Sequence, residues 1–152
     1  MQKAKHNATA KGDHMITLIT GASRGIGFAI AKRILPQSSK MLLCCKSEGN
    51  MQKALGMLKN DRTEILTHCA DHNKCIDAAK EIGQWAGKSV SHIDLLVLNA
   101  GYYVEGSLAD FSKDGFEENI RINFAVNHYL VQELLPLIKK SILTILKIGI
   151  LT

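Results

Sequence analysis

Residues 15–27 read MITLITGASRGIG, and this stretch decides the fold because three glycines join a strand-like run to a helix-like pattern. The apolar run Met15–Thr20 has the length and composition of a buried β-strand. Gly21 permits a tight turn out of that strand, Gly25 lets a phosphate approach the backbone, and Gly27 lets the helix pack closely. A helix N-terminus offers free N–H groups and a positive dipole end, so the sequence predicts a dinucleotide-binding turn here.

Apolar runs and helical patterns alternate along the rest of the chain. Strands are predicted over residues 15–20, 41–45, 64–69, 93–98 and 142–150, and helices over about 26–34, 51–58, 75–86 and 113–138. Pro36 is expected to end the first helix. This alternation predicts an α/β fold, a doubly wound parallel sheet of the Rossmann-like kind with the strand order 3-2-1-4-5.

The composition is that of one folded domain. The chain has 152 residues, 46% of them hydrophobic and 22% charged, which excludes a disordered chain. Residues 1–14 are polar and are expected to form a disordered arm, so that the domain covers 15–152. The most apolar stretch, 141–152, is too short to span a membrane, and no secretory signal is visible, so we expect a cytoplasmic protein without membrane association.

The distribution of charge argues against a nucleic-acid-binding protein, and the cysteine spacing argues against a metal-binding one. Lys and Arg number 19 against 14 Asp and Glu, a net charge of +5, but the basic residues are scattered and form no nucleic-acid-binding motif. We therefore expect no nucleic-acid partner. The cysteines have no CxxC spacing, which predicts reduced thiols and no metal site; they are Cys44, Cys45, Cys69 and Cys75.

The glycine turn resembles a known family motif. Residues Thr20–Gly27, TGASRGIG, are similar to the TGxxxGxG cofactor loop of the short-chain dehydrogenase/reductase family. Asp71, two residues after the third predicted strand, resembles the acidic residue that borders the adenine ring in that family. Two further matches follow in the family's order: residues 98–101 (LNAG) resemble NNAG with Leu98 replacing the first Asn, and Ile122-Asn123 followed by residues 134–136 (LLP) resemble the "N…LP" helix. The resemblance covers about residues 15–140.

The resemblance implies a set of cofactor-binding residues. They are Gly21, Ser23, Arg24, Gly25, Ile26, Gly27, Lys46, Asp71, Asn99, Ala100 and Gly101. The predicted sheet independently places Gly21 and Asn99 at the carboxyl ends of neighbouring strands, where ligands of doubly wound folds bind. A turn-forming role for Asn99, before Ala-Gly, is the alternative.

The end of the second predicted strand bears on cofactor preference. NAD-binding members of this fold carry an acidic residue there for the ribose 2′-hydroxyl. Here that position is Cys45, followed by Lys46, and Lys46 and Arg24 can pair with a 2′-phosphate. We therefore expect NADP(H) as the preferred cofactor, with NAD(H) as the alternative.

The resemblance implies hydride transfer between a nicotinamide cofactor and a small carbonyl or alcohol substrate, with proton transfer by a Tyr-x-x-x-Lys pair. No tyrosine here has a lysine four residues later, since Tyr102, Tyr103 and Tyr129 precede Gly106, Ser107 and Glu133 at that spacing. Asn123 matches a catalytic residue of the family and is carried over in that sense alone. We therefore expect a truncated form of the fold, about five strands and four helices, that turns over no carbonyl substrate by itself.

The predicted helix 113–138 is apolar on more than one face. Phe116, Ile120 and Phe124 form one line along it, in addition to the stripe that would face the sheet. Either a neighbouring helix covers this line or a second subunit does, and a homo-oligomer formed through residues 113–138 is expected. The alternative to an oxidoreductase is accordingly a non-catalytic module that binds a dinucleotide or associates with another subunit.

Overall fold

The computed structural model describes residues 15–58, 61–103, 110 and 112–144. Its strands form one five-stranded sheet in the order β3-β2-β1-β4-β5, in which every neighbouring pair is parallel. The strands are β1 (Met15–Thr20), β2 (Ser38–Cys45), β3 (Glu64–Cys69), β4 (Ile93–Leu98) and β5 (Ile138–Thr144). The predicted strand order is therefore confirmed, and β1 and β4 flank the point at which the order reverses.

Helices connect successive strands across both faces of the sheet. They are α1 (Gly25–Ile34), α2 (Glu48–Met57), α3 (Cys75–Ser89), α4 (Lys113–Ile120) and α5 (Val126–Leu134). A π-helical turn, Arg121–Ala125, joins α4 to α5 in one helical run. None of the helices in the described ranges is both long enough and apolar enough to cross a membrane.

Alternate residues of the strands fill two separate layers of core. Leu18 of β1 packs in a cluster with side chains of α3 and α5, and its neighbour Ile19 packs in a cluster with side chains of α1 and α2. Cys44 and Cys45 divide between the same two clusters, which confirms that they point to opposite faces. A sheet covered on both sides requires the continuous apolar strands seen in the sequence.

The last helix and the last strand differ from the prediction. The predicted helix 113–138 ends at Leu134, and β5 begins at Ile138 rather than at residue 142. The reason is Pro136, which cannot continue a helix and lies in a short 3-10 turn. Pro36 does the same between α1 and β2, which begins at Ser38 rather than at residue 41. The remainder of the predicted last strand, 145–150, and the predicted arm, 1–14, lie outside the described residues.

Candidate functional site

An open cleft of about 420 Å³ lies at the carboxyl ends of the central strands. Its walls come from the β1–α1 loop, the ends of β2 and β4, the segment after β3 and the helical run after β4. The lining residues are Gly21, Ser23, Arg24, Gly25, Cys45, Lys46, Asp71, His72, Asn99, Ala100, Gly101, Tyr102, Glu118 and Ile122. This is the position at which parallel α/β sheets bind ligands.

The β1–α1 loop depends on glycine backbone geometry. Gly21 and Gly25 have φ values of +65° and +58°, and within the described ranges they are the residues that adopt positive φ. L-amino acids with a Cβ rarely adopt that conformation. A Cβ on Gly21 would also lie 2.8 Å from the Cα of Ala100, so the loop can pass β4 only because this residue is a glycine.

Gly27 allows α1 to pack directly against the loop. A Cβ built on Gly27 would collide with the carbonyl oxygen of Gly21 and with the side-chain amide of Asn99. Neither atom is free to move, because both belong to the junction between β1 and β4. The third glycine of the motif thus sets the distance of the helix N-terminus from the strand end, as its position in the sequence predicts.

The N-terminus of α1 is open towards the cleft. Its N-cap residue, Arg24, makes no side-chain hydrogen bond to the first turn, and no acidic residue lies in that turn. The first N–H groups of a helix have no partner within the helix and attract anions. The loop itself is held in place by the Ala22 N–H, which donates to the Cys44 carbonyl at 3.0 Å.

Thr20 and Asn99 tie the ends of β1 and β4 together. The Thr20 hydroxyl oxygen accepts hydrogen bonds from the backbone N–H groups of Asn99 and Ala100, both at 3.0 Å. The Asn99 side-chain amide donates to the carbonyl oxygens of Thr20 (3.1 Å) and Gly21 (3.0 Å). The other polar side-chain atom of Asn99, Oδ1, is buried and has no hydrogen-bond partner among the described residues. Asn99 therefore shapes the floor of the cleft and keeps one polar atom unsatisfied there.

A lysine and an aspartate face each other where β2 and β3 end. The Nζ atom of Lys46 lies 3.1 Å from a carboxylate oxygen of Asp71, and both side chains are accessible to solvent. Burial acts to raise the pKa of Asp71, but the hydrogen bond from Lys46, with that from the Asn73 N–H, outweighs it and lowers the pKa. The carboxylate is therefore ionised at neutral pH and balances one positive charge at this end of the cleft.

His72, next along the chain, is an unpredicted component of the cleft. His72 lines the cleft, and its Nε2 atom is buried with no hydrogen-bond partner in the part of the chain that the structure describes. Burial lowers the pKa of His72, and the carboxylate of Asp71 opposes this only in part, so the imidazole is neutral at pH 7. Asn99 Oδ1 and His72 Nε2 are thus two buried polar atoms of cleft-lining residues that lack a partner within the described ranges.

Asn123 acts as a structural anchor for the chain after β4. Its side-chain oxygen accepts from the Tyr102 N–H at 2.9 Å, and its amide donates to the Tyr102 carbonyl at 2.7 Å. The amide also donates to Asn119, and Asn127 donates to the Asn123 backbone carbonyl. Asn123 lies in the π-helical turn and is not among the cleft-lining residues. It thus positions Tyr102, which does line the cleft.

The cleft gathers most of the residues that the sequence singled out. Nine of the eleven predicted cofactor-binding residues line it. The exceptions are Ile26, which is half-exposed on α1, and Gly27, which packs beneath the loop. Sequence reasoning missed Thr20, His72, Tyr102, Glu118 and Ile122. Thr20, His72, Tyr102 and Ile122 each adjoin a predicted residue, and that adjacency is the signal that could have found them. Glu118 has no such neighbour and reaches the cleft through the packing of the helical run.

The cysteines form no disulfide bond, and the described side chains form no metal-binding group. All four cysteines are free thiols. Three are buried, and Cys69 at the end of β3 is exposed. No group of three or more His, Cys, Asp or Glu side chains within the described ranges could hold a metal ion.

The sequence is similar to known reductases. The family model for short chain dehydrogenases matches residues 15–149. The fatty acyl-CoA reductase of Acinetobacter baylyi is 30% identical over 142 residues, which are 90% of this chain and 48% of that protein. A 3-oxoacyl-[acyl-carrier-protein] reductase of rhamnolipid biosynthesis from Pseudomonas aeruginosa is 26% identical, over 83% of this chain and 48% of that protein. The chain thus spans about half the length of these curated relatives.

Solved structures of short-chain dehydrogenases and alcohol dehydrogenases are also similar to this chain. An alcohol dehydrogenase from Thermococcus sibiricus, crystallised with 5-hydroxy-NADP, superposes with a TM-score of 0.74 at 26% identity over 82% of this chain and 53% of that one. A short-chain dehydrogenase/reductase (glucose/ribitol dehydrogenase) from Brucella melitensis has a TM-score of 0.75 at 28% identity over 86% of this chain and 55% of that one. With the family model matched over residues 15–149 and this fold around the glycine turn, the chain belongs to the short chain dehydrogenase family.

Proposed function

We propose that the cleft binds NADP(H) and that the chain provides the cofactor-binding part of an oxidoreductase. The single observation that carries this proposal is the glycine loop, which opens onto an uncapped helix N-terminus at the reversal point of the sheet. Two of the cleft-lining residues each have a buried polar atom, Asn99 Oδ1 and His72 Nε2, that has no hydrogen-bond partner among the described residues, which fits a polar ligand in the cleft. The Thermococcus sibiricus enzyme was crystallised with an NADP derivative, which supports the class of ligand.

Each part of the cleft suits one part of a dinucleotide. The backbone of Gly21–Gly25 and the N-terminus of α1 suit the pyrophosphate. Lys46, which follows the end of β2, and Arg24, in the β1–α1 loop, both line the cleft and suit a 2′-phosphate, while Asp71 suits the adenine side of the cleft. Residues 99–101, at the end of β4, line the cleft and would hold the nicotinamide end of the dinucleotide. These segments contain nine of the eleven cofactor-binding residues that the family resemblance implies, all except Ile26 and Gly27.

The reaction we propose is hydride transfer with a small carbonyl or alcohol compound as substrate. The nicotinamide ring supplies or accepts the hydride when the cofactor is bound. Residues of this chain bind and orient the cofactor, and Asn123 holds Tyr102 at the edge of the cleft. No Tyr-x-x-x-Lys pair is present among the 152 residues, so we assign the proton-transfer step to none of them.

The cofactor proposal is tested by removing the charge of Lys46. We expect Lys46→Gln to weaken NADPH binding about tenfold and to leave NADH binding unchanged, because one partly exposed charged hydrogen bond to the 2′-phosphate is lost. Isothermal titration calorimetry on the purified chain measures both affinities. Lys32→Gln, an equal charge change in the last turn of α1, is the control and should have no effect. An equal loss of affinity for NADPH and for NADH in Lys46→Gln, or no binding of either cofactor by the unaltered chain, would contradict the proposal.

A second candidate function, subunit association, is favoured by the surface of the helical run. Phe116, Ile120 and Phe124 are spaced four residues apart, and all three are exposed, Phe124 by 63%. Apolar side chains in one line at helical spacing form a patch of the kind that buries against a partner. We propose that a second copy of the chain covers this line. Sedimentation velocity of the sample used for calorimetry should then show a species larger than 16.7 kDa, and a monomer at all concentrations would oppose it.

A further inference from the structure

Two thiols lie within van der Waals contact where β2 and β3 end. Cys45 and Cys69 are direct partners in the parallel register of these strands. Their Sγ atoms are 3.2 Å apart, close enough for one thiol to donate a hydrogen bond to the other. Neighbouring parallel strands lie about 4.8 Å apart, which falls within the Cα separations that disulfides span. A disulfide bond of about 2.05 Å would therefore require the two sulfur atoms to approach by little more than 1 Å.

The two thiols differ in accessibility. Cys69 is exposed at the edge of the described sheet, whereas Cys45 is buried and lines the cleft. The Cys45 thiol also lies 3.3 Å from the carbonyl oxygen of Ser47, to which it can donate. Burial, together with the hydrogen bond to Cys69, raises the pKa of Cys45 to about 12. An oxidant in solution therefore reacts first with the exposed thiol of Cys69, while the buried thiol of Cys45 stays protonated.

We propose that Cys45 and Cys69 form an oxidisable dithiol site, in which a peroxide converts the two thiols into a disulfide that links β2 to β3. The Cys69 thiolate attacks hydrogen peroxide, which gives a sulfenic acid on Cys69 and releases hydroxide. The sulfur of Cys45 then attacks the sulfenic sulfur, and the departing hydroxyl leaves as water with the proton of Cys45. In total, two thiols and one peroxide give one disulfide and two waters.

The other two cysteines do not compete for this bond. Cys44 adjoins Cys45 in β2 but packs into the opposite core layer, and burial raises the pKa of its thiol. Cys75 begins α3, and its thiol lies 3.9 Å from the Arg121 carbonyl oxygen. The site thus follows from the register of two strands, and it is independent of whether a dinucleotide binds in the cleft.

Mass spectrometry of the reduced, purified chain tests the proposal. After treatment with hydrogen peroxide, free thiols are alkylated in denaturant and the chain is digested with trypsin. We expect the peptide of residues 41–46, MLLCCK, to be linked to that of residues 63–74, TEILTHCADHNK, in chains that migrate as monomers on a denaturing gel. Two of the four thiols should be lost, and dithiothreitol should restore them.

Two variants distinguish formation of the Cys45–Cys69 disulfide from unspecific oxidation of the cysteines. Cys45→Ala should abolish the link and allow Cys69 to proceed to the sulfinic acid, because no thiol remains nearby to trap the sulfenic acid. Cys75→Ala, the matched control, should form the link as the unaltered chain does. Fragmentation of the linked peptides must assign the bond to Cys45 rather than Cys44. An unaltered chain that yields unlinked sulfinic acid on Cys69, a link through Cys44 or Cys75, or no oxidation at all would overturn the proposal.

Discussion

Gly27→Ala is expected to destabilise the chain by about 3 kcal/mol or more, because the new methyl group meets atoms that cannot move aside. The Cβ would collide with the Gly21 carbonyl oxygen and the Asn99 side-chain amide. To relieve the collision, α1 must shift away from β1, and the N-terminus of the helix must leave its place in the loop. Urea denaturation, followed by circular dichroism, measures the loss, and dinucleotide binding should be lost with it.

Gly87→Ala is the matched control for this experiment. Gly87 lies in α3, and a Cβ at that position would meet no atom within 4 Å. Replacement of a helical glycine by alanine without a clash should stabilise the chain by about 0.5–1 kcal/mol. The two substitutions add the same methyl group, and we expect them to change the free energy of unfolding in opposite directions. A free energy of unfolding for Gly27→Ala equal to that of the unaltered chain would refute the close packing of α1 on the loop.

Thr20→Val is expected to cost roughly 2–4 kcal/mol although the two side chains have the same shape. Thr20 is fully buried, and its hydroxyl oxygen accepts from the N–H groups of Asn99 and Ala100. Valine would leave both donors without a partner in the interior, and each unsatisfied donor carries its full desolvation cost. Thermal unfolding measures the loss, and amide hydrogen exchange at Asn99 and Ala100 should accelerate specifically.

Thr17→Val provides the comparison on the same strand. Thr17 is equally buried, but the one hydrogen bond of its hydroxyl within the described ranges is to the Ser38 hydroxyl, at 3.3 Å. The same substitution there leaves at most one hydroxyl to find another partner, and Ser38 already donates to the Ile34 carbonyl oxygen. We expect a loss below about 1 kcal/mol. Equal losses at positions 17 and 20 would show that the Thr20 hydroxyl does not join β1 to β4.

The architecture could be predicted from the sequence because its signals are local. An apolar run followed by glycines specifies β1 and the start of α1 within a few residues, and the strand order followed correctly from the alternation. The end of the long helix was placed wrongly, at 138 instead of Leu134. Apolar residues continue at helical spacing through Leu135 and Leu137, which favours a longer helix in the sequence. Pro136 nevertheless ends the α-helix, because it cannot donate the backbone hydrogen bond that a helix requires.

The cleft was only partly predictable because several of its properties arise between distant segments. The sequence placed Lys46 and Asp71 separately, but their ion pair depends on the register of β2 and β3. That pair bears on the proposed cofactor preference, since a 2′-phosphate bound to Lys46 would have to share it with the Asp71 carboxylate. The contact between Cys45 and Cys69 could not be predicted either, because the two residues are 24 positions apart in the sequence and have no CxxC spacing.

The most direct test of the proposed site is to record amide chemical-shift changes on isotope-labelled chain during titration with NADPH. We expect the largest changes at Gly21–Gly25, Lys46, Asp71 and residues 99–101, which surround the cleft, and little change at Ser89, beyond the opposite strand ends. NADH should perturb the loop and residues 99–101 at higher concentrations and affect Lys46 least. Absence of any change with NADPH, or changes concentrated away from the carboxyl ends of the strands, would contradict the assignment of this cleft to a dinucleotide.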